Sequence, residues 1–498
     1  MIRKTRIRRS YNRHCARLCL AGLALAASTA SADGSVDTHQ YTISVDYALS
    51  RLWVEARFAT TVNSVLARSR DAGNFLIDAR NCDRDQKIRM RNKRMLLPDG
   101  GIRCLNYTVD LAGAARQNEN YRGLSDGNII VSPSLWLWRP EINRRSEIQA
   151  RFRLPDDVRV SVPWQARGND PDTYRITRSP ESANAEAIFG RFHYNEIEIP
   201  GATLRVSLLR NATRVDEQAI FDWLRITATD VSLAYGRFPN PSPQVIVVPI
   251  STGRSDSAVP YGRVIRNGGE LVQFFVNPEK PINEFLGDWT ATHEFSHLML
   301  PYVSRRHRWV SEGFAQYYQN VLLARSGEYE QQYAWQKLHD GFERGRQSRP
   351  ELSPNEVAEG GIRAGLMKIY WSGAAIALMA DVQLRERSGG EESLDSLLGR
   401  LQQCCLPADK VWTAPELFQK LDSFTSEPVL MPLYRRYADT AGFPDPAELL
   451  TRLGIEASDG NVRIRQSSEL SDIRAAITGS DSASAAHRSQ LDILSGPN

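Results

Sequence analysis

The chain lacks several features that would assign it to a common class. The apolar run Leu18 to Ala27 falls well short of the ~20 residues a membrane-spanning helix needs, so no integral span is expected in the mature protein. No internal repeat is present. Cysteine is scarce, at 6 in 498 residues, and none has the spacing of a zinc knuckle. A basic excess is also missing. The 62 Lys and Arg stand against 58 Asp and Glu, and seven of the basic residues lie within the first 32 positions. Without those seven the balance is 55 to 58, a net of −3, which argues against nucleic acid or an anionic membrane as the main partner.

What is present begins with those first 32 residues. Arg3, Lys4, Arg6, Arg8, Arg9, Arg13 and Arg17 precede the apolar run with no acid among them, and Ala30-Ser31-Ala32 supplies small residues for cleavage. This pattern predicts a signal peptide over 1–32, a mature chain starting at Asp33, and export to a periplasmic or secreted location. In an oxidising compartment Cys82 and Cys104 are expected to pair, closing an Arg-rich loop. Cys404 and Cys405 are adjacent, which strains a mutual bond, so they are expected to be reduced or bonded elsewhere.

The chemistry concentrates in HEFSH at 293–297 and WVSEGFAQYY at 309–318. Residues four apart on a helix lie one above the other, so His293 and His297 share a face and can bind one zinc ion per chain. Glu294 lies between them, toward the open side of the metal. A hydrolytic zinc needs a third protein ligand and a free position for water. Glu312 supplies it from a second helix, marked by Val310, Phe314, Tyr317, Val321 and Leu322 at helical spacing. The rival is His307, which is expected to be a solvated turn residue. The metzincin pattern is excluded, because Val303 and Leu300 occupy the places of its third histidine and its glycine. Asp288 or Thr290 can cap the first helix, Pro301 stops it, and Gly327 closes the second.

HExxH followed by W-x-x-E-G-F-A resembles the gluzincin peptidases, namely the aminopeptidase N and glycyl aminopeptidase families. The resemblance implies that His293, His297 and Glu312 bind zinc and that Glu294 is the general base. The stretch IYWSGAAIALMADVQLR at 369–385 resembles the Tyr-x-x-Gly-Ala helix of both families and places their transition-state tyrosine at Tyr370. Exopeptidases of these families carry Gly-x-x-Glu before the metal helix, where the acid holds the substrate's free amine. Gly268-Gly269-Glu270 lies at about that distance but is one residue short of the pattern. Its other reading is a glycine turn into the strand Leu271–Val276. Gln316 and Gln319 occupy the face where these families often place a carboxylate behind the metal ligands.

The expected architecture is multidomain α+β. Alternating patterns such as His39–Val45 and Trp53–Phe58 predict an all-β sandwich or saucer over 33–210, with Trp136, Trp138 and Trp164 in its core. The resemblance implies a thermolysin-like α+β catalytic domain over 211–330, including a strand at Gln244–Ile250. A helical region follows over 331–455, and a Ser/Ala-rich, loosely ordered tail over 456–498. The function implied is an exported zinc-dependent aminopeptidase acting on peptide or protein substrates. An endopeptidase or other hydrolase on the same scaffold, or a zinc-containing but inactive binding module, remain open alternatives.

Overall fold

A computed structural model describes residues 36–479 except 92–93, 118–126, 168–169, 181–184, 210–215, 251–255, 267, 362 and 364. The expected signal peptide, its cleavage point and residues 480–498 of the tail lie outside the described residues.

Strict alternation builds the first layer. Along Arg51–Val62, Leu52, Val54, Ala56 and Phe58 are buried while Arg51, Trp53, Glu55 and Arg57 face outward, the period-two pattern of a half-buried strand. This strand pairs antiparallel with Asp37–Val45, which pairs parallel with Ser146–Arg153 on its other side. Eight strands join in this sheet. Trp136, Trp138 and Trp164 are buried in its core, as expected.

A small sheet of Arg159–Ser161, Ala187–Gly190 and Ile129–Val131 lies against it. Val131, Ala187 and Phe189 pack into the core of the eight-stranded sheet. Their neighbours Ile130 and Ile188 pack the other way, with Ile246, Val248 and Leu271. The strand Ala187–Gly190 is therefore buried at every position, as a strand covered on both faces must be.

The next sheet has five strands in the spatial order His193–Ile199, Ala202–Leu208, Gln244–Pro249, Leu271–Val276, Tyr261–Ile265. This moves one expected boundary. The strands at 193–208 were expected in the β domain ending at 210, but Ala202–Leu208 pairs parallel with Gln244–Pro249 and belongs to this five-stranded sheet. Alternation alone does not say which sheet a strand joins. Leu271–Val276 is also interior, flanked by Gln244–Pro249 and Tyr261–Ile265, so Tyr261–Ile265 is the edge strand.

Helices cover the other face of this sheet, where Val245, Val247, Val272 and Phe274 meet Phe295, Leu298, Val310 and Phe314. The helix Leu366–Ser388 is apolar on nearly every side and is accordingly surrounded. It crosses the helix Arg308–Ser326 where Gly313 faces Gly373. A Cβ on Gly313 would strike the Gly373 backbone, and one on Gly373 would strike the Trp309 carbonyl.

Three further expectations are corrected. Residues 456–479 are built into the fold: Ile455–Ser458 and Asn461–Ile464 form a hairpin and Ser471–Thr478 a helix. Val462, Leu470 and Ile477 reach the helical core, a sparse apolar set concealed by polar composition. His307 is buried rather than solvated, with Nδ1 2.9 Å from Ser304 Oγ and Nε2 3.2 Å from the Tyr434 hydroxyl. Cys404 and Cys405 are bonded to each other, while Cys82 and Cys104 form the expected pair.

Two measurements test this packing. Gly373→Ala overfills the helix crossing and should lower stability by about 2–3 kcal/mol in urea unfolding. Replacing Cys82 and Cys104 together by Ser reopens a loop of sequence separation 22 and should lower stability by about 3 kcal/mol. An unchanged unfolding midpoint in either variant would refute the corresponding account.

Candidate metal centre

The metal helix Trp289–Ser296 starts at Asp288, whose Oδ1 accepts from the Thr290 amide at 2.9 Å. The other oxygen of Asp288 accepts from Ser257 Oγ at 2.6 Å and from the Val259 amide at 3.1 Å. One capping residue thus anchors the helix to the segment leading into the edge strand. His293 and His297 follow one turn apart, with ring centroids 4.8 Å apart and ring planes at 88°. At His297 the helix passes into a 3-10 turn.

Glu312 comes from the first turns of Arg308–Ser326. Its Oε2 lies 3.6 Å from His293 Nε2 and 3.4 Å from His297 Nε2. Tetrahedral ligands around one zinc ion stand about 3.3 Å apart, so these atoms fit a shared ion. Hydrogen bonds orient both rings in the same sense. His293 Nδ1 is 3.2 Å from Gln319 Oε1, and His297 Nδ1 is 3.1 Å from Ser311 Oγ. An amide oxygen only accepts, so the His293 ring proton sits on Nδ1 and its Nε2 lone pair is left for a metal, and the Ser311 hydroxyl is able to accept from His297 Nδ1 in the same way. Among the described residues, these three form the one group of His, Cys, Asp or Glu side chains spaced to hold an ion.

Glu294 is buried beside them. Burial raises its pKa above the ordinary carboxylate value, opposed by His297 and His293. Burial acts the same way on Glu312, but there His297 and His293 prevail and hold its carboxyl far below that value. For His293, burial disfavours the cation, yet the neighbouring Glu312 and Glu294 leave its pKa raised. Tyr370 opens the helix Leu366–Ser388 and stacks on His293, with centroids 5.7 Å apart at 13°. Burial pushes its hydroxyl well above the usual phenol range, with Glu312 and Glu294 adding to the shift, so it stays protonated.

Several neighbours carried no sequence signal. Gly262 on the edge strand faces Glu294 so closely that a Cβ there would lie 2.6 Å from its Cγ. The buried Arg266 donates from Nη2 to the His297 carbonyl, which also accepts from the Leu300 amide at 3.3 Å where the helix ends. Trp289, 43% exposed, sets its ring edge-on to His293 with centroids 5.6 Å apart. Trp289 lies four residues before His293 on the same helix, whereas Gly262 and Arg266 come from the edge strand and the residue after it, which only the fold brings here.

Gly268 and Gly269 form a turn with φ of 92° and 137°, and Trp164 Nε1 donates to the Gly268 carbonyl at 3.0 Å. Glu270 is half-buried, accepts from Asn240 and faces Arg266; desolvation raises its pKa. It lines a cavity of about 90 Å³ with Arg178, Arg266, Trp164 and Tyr302, and is not among the ligand group.

The metal should be measurable directly. The purified protein is expected to hold about one zinc per chain, and Ala at His293, His297 or Glu312 should remove it. Gln319→Glu places a carboxylate behind His293 and should tighten zinc about tenfold in chelator competition. Full zinc retention by His297→Ala would refute the ligand set.

Residues 301–372 match the model of the M61 glycyl aminopeptidase family, a span that includes Glu312 and Tyr370 and begins after HEFSH. No curated protein matches the chain. Among solved structures, it resembles an aminopeptidase N family protein of Idiomarina loihiensis with TM-score 0.59 and 13% identity, over 85% of this chain and 82% of that one. An M1 zinc metallopeptidase of Deinococcus radiodurans aligns with TM-score 0.48 and 14% identity, over 82% of this chain and 94% of that one. The chain thus shares its fold with an aminopeptidase N family protein, and its segment carrying Glu312 and Tyr370 is similar to the M61 glycyl aminopeptidase family, beside a His-His-Glu group that could hold a metal ion.

Proposed function

We propose that the chain is an exported zinc-dependent peptidase, in the first reading an aminopeptidase, that hydrolyses peptide bonds with a metal-activated water. One observation carries this reading: the cluster of His293, His297 and Glu312 sits beside both a buried Glu294 and a protonated Tyr370. Export rests on the leader-like first 32 residues.

A zinc ion held by the three ligands supplies a polarised carbonyl and a water acidic near neutral pH. The chain's own residues do the rest. Glu294 takes the proton of the attacking water and returns it to the leaving amine. Tyr370 donates its hydroxyl hydrogen to the oxyanion as charge develops there. Gly262 lets the edge strand lie directly against Glu294, so a peptide backbone pairing with that strand would run close to it.

One observation favours cleavage at internal bonds as a second reading. An aminopeptidase needs a carboxylate available for the substrate's ammonium group. The acids near this strand are already engaged: Glu186 Oε1 pairs with Arg263 Nη2 at 2.8 Å, and Glu270 accepts from Asn240 beside Arg266.

Zinc-loaded protein incubated with matched free and N-acetylated peptides, read by mass spectrometry, separates the two. Loss of single N-terminal residues from the free set alone supports the aminopeptidase reading, equal internal cleavage of both sets supports the second, and no cleavage refutes both. Glu294→Gln should keep zinc and fold while kcat falls about 100-fold or more. Tyr370→Phe should also lower kcat about 100-fold, with KM and melting temperature nearly unchanged. Early melting with normal turnover would make Tyr370 a core residue.

A further inference from the structure

The β region carries a feature that peptide hydrolysis does not use. Between Arg84 and Arg94 the sequence places Arg84, Lys87, Arg89, Arg91, Lys93 and Arg94 against the single acid Asp85. The near-neutral balance of the whole chain conceals this local excess.

Arg89–Arg91 and Arg94–Leu96 form a two-stranded hairpin separate from the larger sheets. Its register sets Arg89 opposite Leu96, Met90 opposite Met95 and Arg91 opposite Arg94. Period-two alternation then sorts these six residues onto two faces. Met95 is buried in the β core with Ile88, and Met90 packs partly against it. The other face presents Arg89, Arg91, Arg94 and Leu96, all exposed, with Leu96 at 49%.

This face is costly for the fold alone. Like charges directly opposite across strands destabilise a pair, and an isolated two-stranded hairpin is marginal in water. Two of the nearby acids are already engaged, since Asp78 pairs with Arg80 and Lys87, and Asp85 pairs with Arg80. Arg84, Arg89, Arg91 and Arg94 have no ion-pair partner among the described residues. The Cys82–Cys104 disulfide ties the loop at its root and holds the arginines in place despite their repulsion.

We infer that the Arg89–Arg91–Arg94–Leu96 face docks the protein onto an anionic lipid surface. Clustered guanidinium groups are drawn to acidic headgroups, and an exposed leucine among them can enter the interface. A single-stranded nucleic acid would instead call for aromatic side chains on which bases stack, and residues 84–97 contain no aromatic.

Co-sedimentation of the full chain with vesicles tests this independently of any peptidase activity. Binding is expected to phosphatidylcholine vesicles carrying about 30% phosphatidylglycerol in about 0.05 M salt, and not to pure phosphatidylcholine or in about 0.3 M salt. The double variant R91S/R94S should bind about thirtyfold more weakly, with melting temperature held or raised and peptide hydrolysis unchanged. Leu96→Ser should bind several-fold more weakly at the same net charge. No binding to the anionic vesicles, undiminished binding by R91S/R94S, or tighter binding of single-stranded DNA than of vesicles would each overturn the proposal.

Discussion

Two imidazoles and a carboxylate within 4.8 Å of one another form an arrangement that water would dissolve and that burial makes expensive. Everything around the centre restrains these three groups. Gln319 and Ser311 turn the rings, Arg266 holds the carbonyl where the metal helix ends, and Tyr370 covers His293. Glu312 belongs to a different helix, so its place depends on how closely that helix can approach its neighbours. Gly313 and Gly373 let the Glu312 and Tyr370 helices touch backbone to backbone, and side chains at either point would push ligand and donor apart.

A buried polar network maintains that approach one layer further from the metal. Asp381 on the Tyr370 helix accepts from the Tyr317 hydroxyl at 2.8 Å and from the Leu394 amide at 2.8 Å, and is held by Arg385. Asp395 accepts from Tyr318 at 2.8 Å and from Arg325 at 2.9 Å. Tyr317, Tyr318 and Arg325 share the helix of Glu312, so these bonds fix its rotation as well as its distance. Removing one partner of such a network would leave a buried charge without compensation.

The β region serves the same centre from the opposite side. Its small sheet belongs to two cores at once, joining the eight-stranded layer to the sheet whose edge strand passes Glu294. The Gly268–Gly269 turn, pinned by Trp164, closes the far end of that edge strand. The edge strand is thereby held rigid on its inner side and open on its outer side, as a strand that receives a peptide backbone must be.

Periodicity, capping and ligand chemistry act over short stretches of chain, and these were determined by the sequence alone. HEFSH, the helix of Glu312, the cap at Asp288, the αL glycine at 327 and the pairing of Cys82 with Cys104 were all legible there. Which sheet a strand joins was not, and residues 193–208 moved from the β region to the five-stranded sheet because one alternating strand fits either core. The order within 456–479 was hidden for a related reason: three buried apolar residues in polar composition show no period until a core receives them. Trp289 and Ser311 sit on the helices of His293 and Glu312 themselves, but Gly262 and Arg266 reach the site from the edge strand, with no spacing to mark them. Local spacing selected the His-His-Glu group and put Gln319 on the face behind it, while tertiary packing alone set Gly262 and Arg266 against the helix of His293, because those contacts join segments far apart in the chain.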